Sequence, residues 1–91
     1  MINRIYTIEW LPQAEQQLHK IKDEHLKKRI FQIIEEEIAH DPHVGKPLNF
    51  QFKGTRSYRV GHLRILYRPY EKKLVIVIIR IDHRKNVYRI K

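Results

Sequence analysis

Ninety-one residues suffice for one domain with a modest core and leave no room for a second. The absence of cysteine excludes disulfides and thiolate metal sites, and the longest apolar run, residues 74–79, is six residues, far short of a membrane span. The formal charge of +9 is concentrated in one half. Residues 53–91 hold twelve Lys/Arg against two acids, Glu71 and Asp82, a net of +10, whereas residues 1–52 hold seven against eight, a net of −1. A half-neutral, half-cationic chain points to an anionic partner, and the segment from Ile2 to Trp10 is too short and too polar for a signal-peptide core. The expectation is a soluble, cytosolic domain.

In chain order, Tyr6, Ile8 and Trp10 alternate with polar residues as a half-buried strand. Pro12 sits where a first helical turn tolerates proline, and Ala14, Leu18 and Ile21 continue at helical spacing to about Lys22. Asp23 is placed to cap a second helix whose buried stripe is Leu26, Ile30, Ile33, Ile34 and Ile38. Its acids fall late, at Glu35–Glu37, where the helix dipole disfavours them. Asp41-Pro42 stops this helix, because a residue before proline avoids the α region. Gly45 and Pro47 keep the chain irregular to about Leu48, and Phe50 and Phe52 alternate with Gln51 as a short strand. Tyr58 and Val60 lead into a turn at Gly61-His62, and Leu63, Ile65 and Tyr67 alternate with Arg64, Leu66 and Arg68. Residues 69–73 read as a turn, and residues 74–81 as a central strand covered on both faces. Val87 and Ile90 suggest a short last strand. The order β-α-α-β-β-β is α+β: an N-terminal strand, a two-helix hairpin on one face of a small sheet, then antiparallel hairpin strands, with the other face or rim left for arginines.

Those arginines recur at Arg56, Arg59, Arg64, Arg68, Arg80, Arg84 and Arg89, interleaved with Tyr58, Tyr67, Tyr70 and Tyr88. Guanidinium for phosphate and aromatic rings for stacking suit a nucleic acid with exposed bases. One arginine precedes the Gly61 turn and another lies three residues after the glycine. The apolar strand is followed by Asp82-His83-Arg84-Lys85-Asn86-Val87-Tyr88.

Size, element order, basic strands, the Arg59-Val60-Gly61 turn with Arg64-Ile65-Leu66-Tyr67 and the His83-Arg84…Tyr88 end together resemble the RelE/ParE superfamily of bacterial and archaeal toxins. The resemblance covers nearly the whole chain. It implies a toxin from a two-gene toxin–antitoxin pair. The RelE-like branch cuts messenger RNA, usually in the ribosomal A site; the ParE-like branch inhibits DNA gyrase. For the RelE-like branch, the implied cleavage residues are Arg64, Arg84 and Tyr88, with Arg59 near the RNA backbone and Lys53 and Arg56 as further basic candidates. The chain departs from some relatives in carrying His62 and Leu63 in the turn and in lacking a long C-terminal extension. An acidic, partly disordered antitoxin is implied as partner, with operator DNA bound only through the toxin–antitoxin complex.

RNA cleavage makes sense of such a residue set. The 2′-OH is the nucleophile, so no Ser, Cys, metal or cofactor is needed. The enzyme must align that hydroxyl, stabilise charge on the phosphorane-like transition state and manage two protons. Arginine suits the charge but, always protonated, is a poor acid. His83, Tyr88, or groups of the substrate and ribosome remain for the protons. Tyr88 is read first as a stacking or orienting residue, with a general-base role as the alternative.

Each residue has a plainer reading. Arg64 and Arg84 could be solvated strand residues, Arg56 and Arg59 could only hold phosphate, Arg80, the fourth candidate RNA contact beside Lys53, Arg56 and Arg59, could instead pair with Asp82 or Glu71, and His83 could merely end a strand. Two loop histidines, His40 and His43, are weak evidence for a metal. Two rival functions remain open: gyrase inhibition without catalysis, and a plain nucleic-acid-binding module.

Overall fold

In a computed structural model, residues 5–83 are described. The elements are β1 (Thr7–Trp10), α1 (Pro12–His19), α2 (Glu24–Gln32), β2 (Lys46–Pro47), β3 (Arg56–Val60), β4 (Leu63–Tyr70) and β5 (Val75–His83). They build one five-stranded sheet in the order β1-β5-β4-β3-β2. The neighbours from β2 through β5 run antiparallel, while β1 lies parallel to β5. The α+β expectation holds, with the parallel β1–β5 pair and the edge strand β2 added.

Local chemistry explains the helices. Pro12 opens α1, where its missing N–H is not needed. The Asp23 carboxylate accepts from the N–H groups of His25 and Leu26 and caps α2. The helical path continues past Gln32 in a wider π-helical turn, Ile33–Ile38, closed by Ala39 N–H donating to the Ile34 carbonyl. Ile30, Ile33, Ile34 and Ile38 are all buried. With Ala14 and Leu18 of α1 they pack on Val60, Leu63, Ile65, Tyr67, Ile76, Ile78 and Ile81 of the sheet. This is the helix-side core. The late acids have a partial explanation: the Tyr58 hydroxyl donates to the Glu37 carboxylate at 2.7 Å, which raises the Tyr58 pKa.

Strand β5 is flanked by β1 only as far as Ile78. Beyond that, two α1 side chains take over the ladder. Gln13 Nε2 donates to the Ile79 carbonyl at 2.9 Å, and Gln17 Oε1 accepts from Ile81 N–H at 2.7 Å. These bonds satisfy backbone groups beside the β5 irregularity, where Leu66 pairs with Arg80 but Tyr67 pairs with Ile78.

A second buried tie joins the sheet to the segment before β2. The Tyr67 hydroxyl donates to the Pro42 carbonyl at 2.7 Å and accepts from Gly45 N–H at 2.9 Å. Burial pushes its pKa up. A Cβ at Gly45 would collide with that hydroxyl, so glycine is needed there for close approach.

Three local expectations are corrected. Residues 50–52 form a 3₁₀ turn, not a strand: Phe52 N–H donates to Asn49 and Lys53 N–H to Phe50, and Phe50 adopts a left-handed φ of 57°. β4 runs on to Tyr70 instead of turning at Pro69. Its partner β3 stops opposite Tyr67, so Pro69 sits where one neighbour has been lost, a setting a strand proline tolerates. β5 is not covered equally on both faces. Ile76, Ile78 and Ile81 are buried under the helices, whereas Val75, Val77 and Ile79 are only half-buried. The suggested strand at Val87 and Ile90 lies outside the described residues.

Candidate functional site

Side chains opposite each other across an antiparallel pair share a face of the sheet. Leu63, Ile65 and Tyr67 face the helices, so Arg64 and Leu66 point to the outer face. Two cross-strand rows then follow from the register. One is Arg59–Arg64–Asp82, and the other is Lys46–Ser57–Leu66–Arg80. Four cations and one carboxylate therefore share neighbouring positions on β2 to β5.

The geometry within these rows is specific. Arg64 Nη1 donates to Ser57 Oγ at 3.0 Å, which orients the guanidinium along the sheet. Arg80 Nε lies 3.6 Å from Asp82 Oδ2, and both side chains are half-buried. Asp82 Oδ1 also accepts from His83 N–H at 2.8 Å. Arg59 is exposed and directly opposite Arg64. Like charges so placed are destabilising in themselves; Asp82, opposite Arg64 on the other side, offsets part of this, and an anion seated over the pair would offset more. Val44, Lys46, Ser57, Tyr58, Arg59 and Arg64 line a shallow depression of about 420 Å³ at this position. An open, cationic hollow with oriented guanidinium donors can hold a phosphate and stabilise additional negative charge on it.

The other candidates are distributed differently. Arg56 is opposite Tyr67 and so faces the helix side. Its Nε donates to the Gly45 carbonyl at 3.1 Å and its Nη2 to the His43 carbonyl at 3.4 Å, tying down the chain before β2. His83 is opposite Leu63, on the helix side of the strand end, with its ring 5.2 Å from that of His62. Lys53 is exposed, just after the 3₁₀ turn. Arg84 and Tyr88 lie outside the described residues. The site thus brings together Arg59, Arg64 and Arg80 and sends Arg56 and His83 to the opposite face. Lys46 and Ser57 were not singled out from sequence. Strand parity offered a signal for Ser57, two residues before Arg59, but nothing in the sequence marked Lys46 as part of a two-residue strand.

Part of the outer face is covered by apolar packing. Residues 48–55 fold across it, and Leu48 and Phe52 pack there on Leu66 and Ile79. Arg68 lies beside Gly54 of this loop and over the Tyr70 ring at 5.6 Å.

Comparison with known proteins agrees with this architecture. The sequence model of the family described as ParE toxin of type II toxin–antitoxin system, parDE, matches residues 8–88. The toxin RelG of Mycobacterium tuberculosis is 37% identical over 89 residues, spanning 92% of this chain and 97% of the relative. Among solved structures, a chain of the RelBE2 toxin–antitoxin complex of Mycobacterium tuberculosis superposes with a TM-score of 0.80 at 33% identity, covering 89% of this chain and 93% of that one. The YoeB/ParE toxin of Agrobacterium tumefaciens has the same fold, with a TM-score of 0.75 at 18% identity over 85% of this chain and 96% of its own.

Proposed function

From the premise that this chain belongs to the RelE/ParE superfamily and is a toxin of a type II toxin–antitoxin system, we propose that it is an mRNA interferase, an endoribonuclease acting on messenger RNA in the ribosomal A site. The observation that carries this reading is the Arg59–Arg64 pair on an open cationic face, beside Lys46 and Arg80.

In the proposed reaction the substrate 2′-OH attacks the adjacent phosphorus, the 5′-oxygen leaves, and a 2′,3′-cyclic phosphate and a 5′-OH result. Arg64, oriented by Ser57, stabilises charge on the phosphorane-like state. Arg59 and Lys46 hold neighbouring phosphates, with Lys53 extending the basic surface. Arg80, held near Asp82, reinforces the local field. Arg84 keeps a charge-stabilising role and Tyr88 an orienting one, both by family resemblance. His83 faces away from Arg64, and so no proton transfer is given to it; groups of the substrate and ribosome carry the two protons. Arg56 is read as a scaffold residue that shapes the cradle without touching RNA. No step calls on a metal or cofactor.

The partner of the resting protein is a cognate antitoxin, as in the RelBE2 complex, and an acidic chain would neutralise the basic half. Operator DNA is bound through that complex and mainly by the antitoxin; operator affinity of the isolated toxin equal to that of the complex would contradict this. An RNA target in translating ribosomes places the protein in the cytoplasm. Among the described residues, no helix is long and apolar enough to cross a membrane.

The parDE description of the matching family keeps gyrase inhibition as the second reading. Programmed ribosomes and a supercoiling assay separate the two. The interferase reading requires cuts in ribosome-bound mRNA with 5′-OH ends and no effect on supercoiling. Intact mRNA with blocked supercoiling would establish the other.

A further inference from the structure

The loop between β2 and β3 holds an unusual residue. Phe50 is 93% exposed, the most exposed large hydrophobic side chain among the described residues. Its backbone sits at φ 57°, a region that L-residues other than Asn, Asp and Gly enter at a cost. Folding therefore gains nothing from this ring and is burdened by its backbone. Phe52, two residues on, does the packing instead, against Leu48, Leu66 and Ile79. A bulky residue kept exposed and strained by a well-anchored loop is a candidate for binding. The anchoring is explicit: Leu48 N–H donates to the Thr55 carbonyl at 3.0 Å and Thr55 N–H to the Phe52 carbonyl at 2.9 Å.

The setting of the ring identifies its ligand. Residues 46–52 line a depression of about 530 Å³, and Lys46 also lines the adjoining hollow of Arg59 and Arg64. The two depressions thus meet at one lysine. Around Phe50, the exposed residues in sequence are Lys46, Pro47, Asn49, Gln51 and Lys53, and Arg68 reaches Gly54 at the end of the loop. An anchor for a protein partner is generally ringed by further apolar surface that excludes water. Pro47, Leu48 and Phe52 share the depression, but Leu48 and Phe52 are taken up in packing on Leu66 and Ile79, which leaves the Phe50 ring with accessible faces, Lys46 and Lys53 close along the chain and Arg68 beside Gly54. That combination suits a single-stranded nucleic acid, with stacking for a base and charge for its phosphates.

We propose that Phe50 forms a stacking subsite for one unpaired RNA base, adjoining the phosphate cradle of Arg59 and Arg64 across Lys46. The subsite rests on the RNA reading above and specifies where the strand continues beyond the cradle. Because stacking accepts any base, the site fixes the path of the RNA more than its sequence.

The test uses a fluorescent single-stranded RNA, 2′-O-methylated to block cleavage, both free and placed in the ribosomal A site. Wild type, Phe50→Asn and Phe50→Trp are compared, and an abasic nucleotide is walked along the RNA. Asn accepts the left-handed backbone, so Phe50→Asn should melt no lower than wild type. It should nevertheless bind RNA roughly five- to a hundredfold more weakly, the range expected for one base–aromatic stack, while Phe50→Trp binds normally. For wild type, an abasic nucleotide at one position should cause a loss of similar size, and that loss should vanish in Phe50→Asn. Unchanged RNA affinity of Phe50→Asn overturns the subsite and leaves the interferase reading standing. The same holds for a loss coupled to no abasic position, or for lost antitoxin affinity with RNA affinity intact, which would make the ring a protein anchor. A wild type that binds neither form of the RNA overturns the RNA reading and the subsite together.

Discussion

The two faces of the sheet use the same residue types for opposite ends. Arg56 and Arg59 are three residues apart on β3, yet strand parity turns one toward the helices and the other away. Arg56 is spent on the carbonyls of His43 and Gly45, whereas Arg59 is exposed opposite Arg64. Tyrosine divides similarly: Tyr67 is buried and bonded at both ends of its hydroxyl, and Tyr70 lies at the surface beneath Arg68. The helix side is closed by apolar packing, and the outer face stays open and cationic around Arg59 and Arg64. Position in the pleat, more than residue type, separates scaffold from site.

Substitutions can break this division, starting from the helix side. Ile78 is fully buried in the middle of β5, so Ile78→Ala should cost about 2–5 kcal/mol in chemical unfolding. A much smaller loss would mean that the core relaxes around the gap. On the outer face, Arg64→Ala should lower mRNA cleavage roughly 10²- to 10³-fold, as expected for removing one charge-stabilising donor. Its unfolding midpoint should move far less than that of Ile78→Ala, and parallel loss of both quantities would make Arg64 a structural residue. Tyr67→Phe removes the hydroxyl that joins Pro42 to Gly45 and should destabilise by about 1–3 kcal/mol without altering the charge of the outer face.

The same hydroxyl gives a pH dependence. Burial raises the Tyr67 pKa, so the folded state keeps its proton at a pH where the unfolded chain has released it. The folded state then binds more protons, and stability falls as pH rises above about 10, the ordinary tyrosine value. Tyr58, raised by its bond to Glu37, acts in the same direction. Tyr67→Phe should flatten the alkaline limb of a stability–pH curve, and an unchanged limb would assign the effect elsewhere. The smallest change is expected for Arg59→Ala. It should weaken RNA binding modestly and reduce the slope of log affinity against log salt by about 0.7, the value for one phosphate contact on a single strand.

The sequence made the helical stripe, the Asp23 cap and the Gly61 turn legible because each depends on near neighbours. Gly61 has a φ of 60° at the first position of a two-residue hairpin, where glycine is the natural occupant. The candidate site was legible in outline: Arg59 and Arg64 flank that turn, and alternation alone pairs them on one face. Other features depended on distant contacts. Alternation of Phe50 and Phe52 looked like a strand, but the outer face offered an apolar seat to Phe52 alone, and the loop closed as a 3₁₀ turn. Arg56 looked equivalent to Arg59 until the carbonyls of His43 and Gly45 came within its reach. The parallel pairing of β1 with β5 joins residues nearly seventy positions apart, and no local pattern announces it. Gln13 and Gln17 could be assigned no role before that pairing was seen to end at Ile78.

The most direct test of the division between the faces compares Arg64→Ala with Arg56→Ala on programmed ribosomes, scoring cleavage and thermal unfolding for each. The account predicts that Arg64→Ala folds as wild type and leaves the mRNA nearly intact, while Arg56→Ala melts earlier and, kept below its transition, still cuts. Loss of cleavage by a fully folded Arg56→Ala, with Arg64→Ala cutting normally, would place the RNA on the wrong side of the sheet and contradict the account.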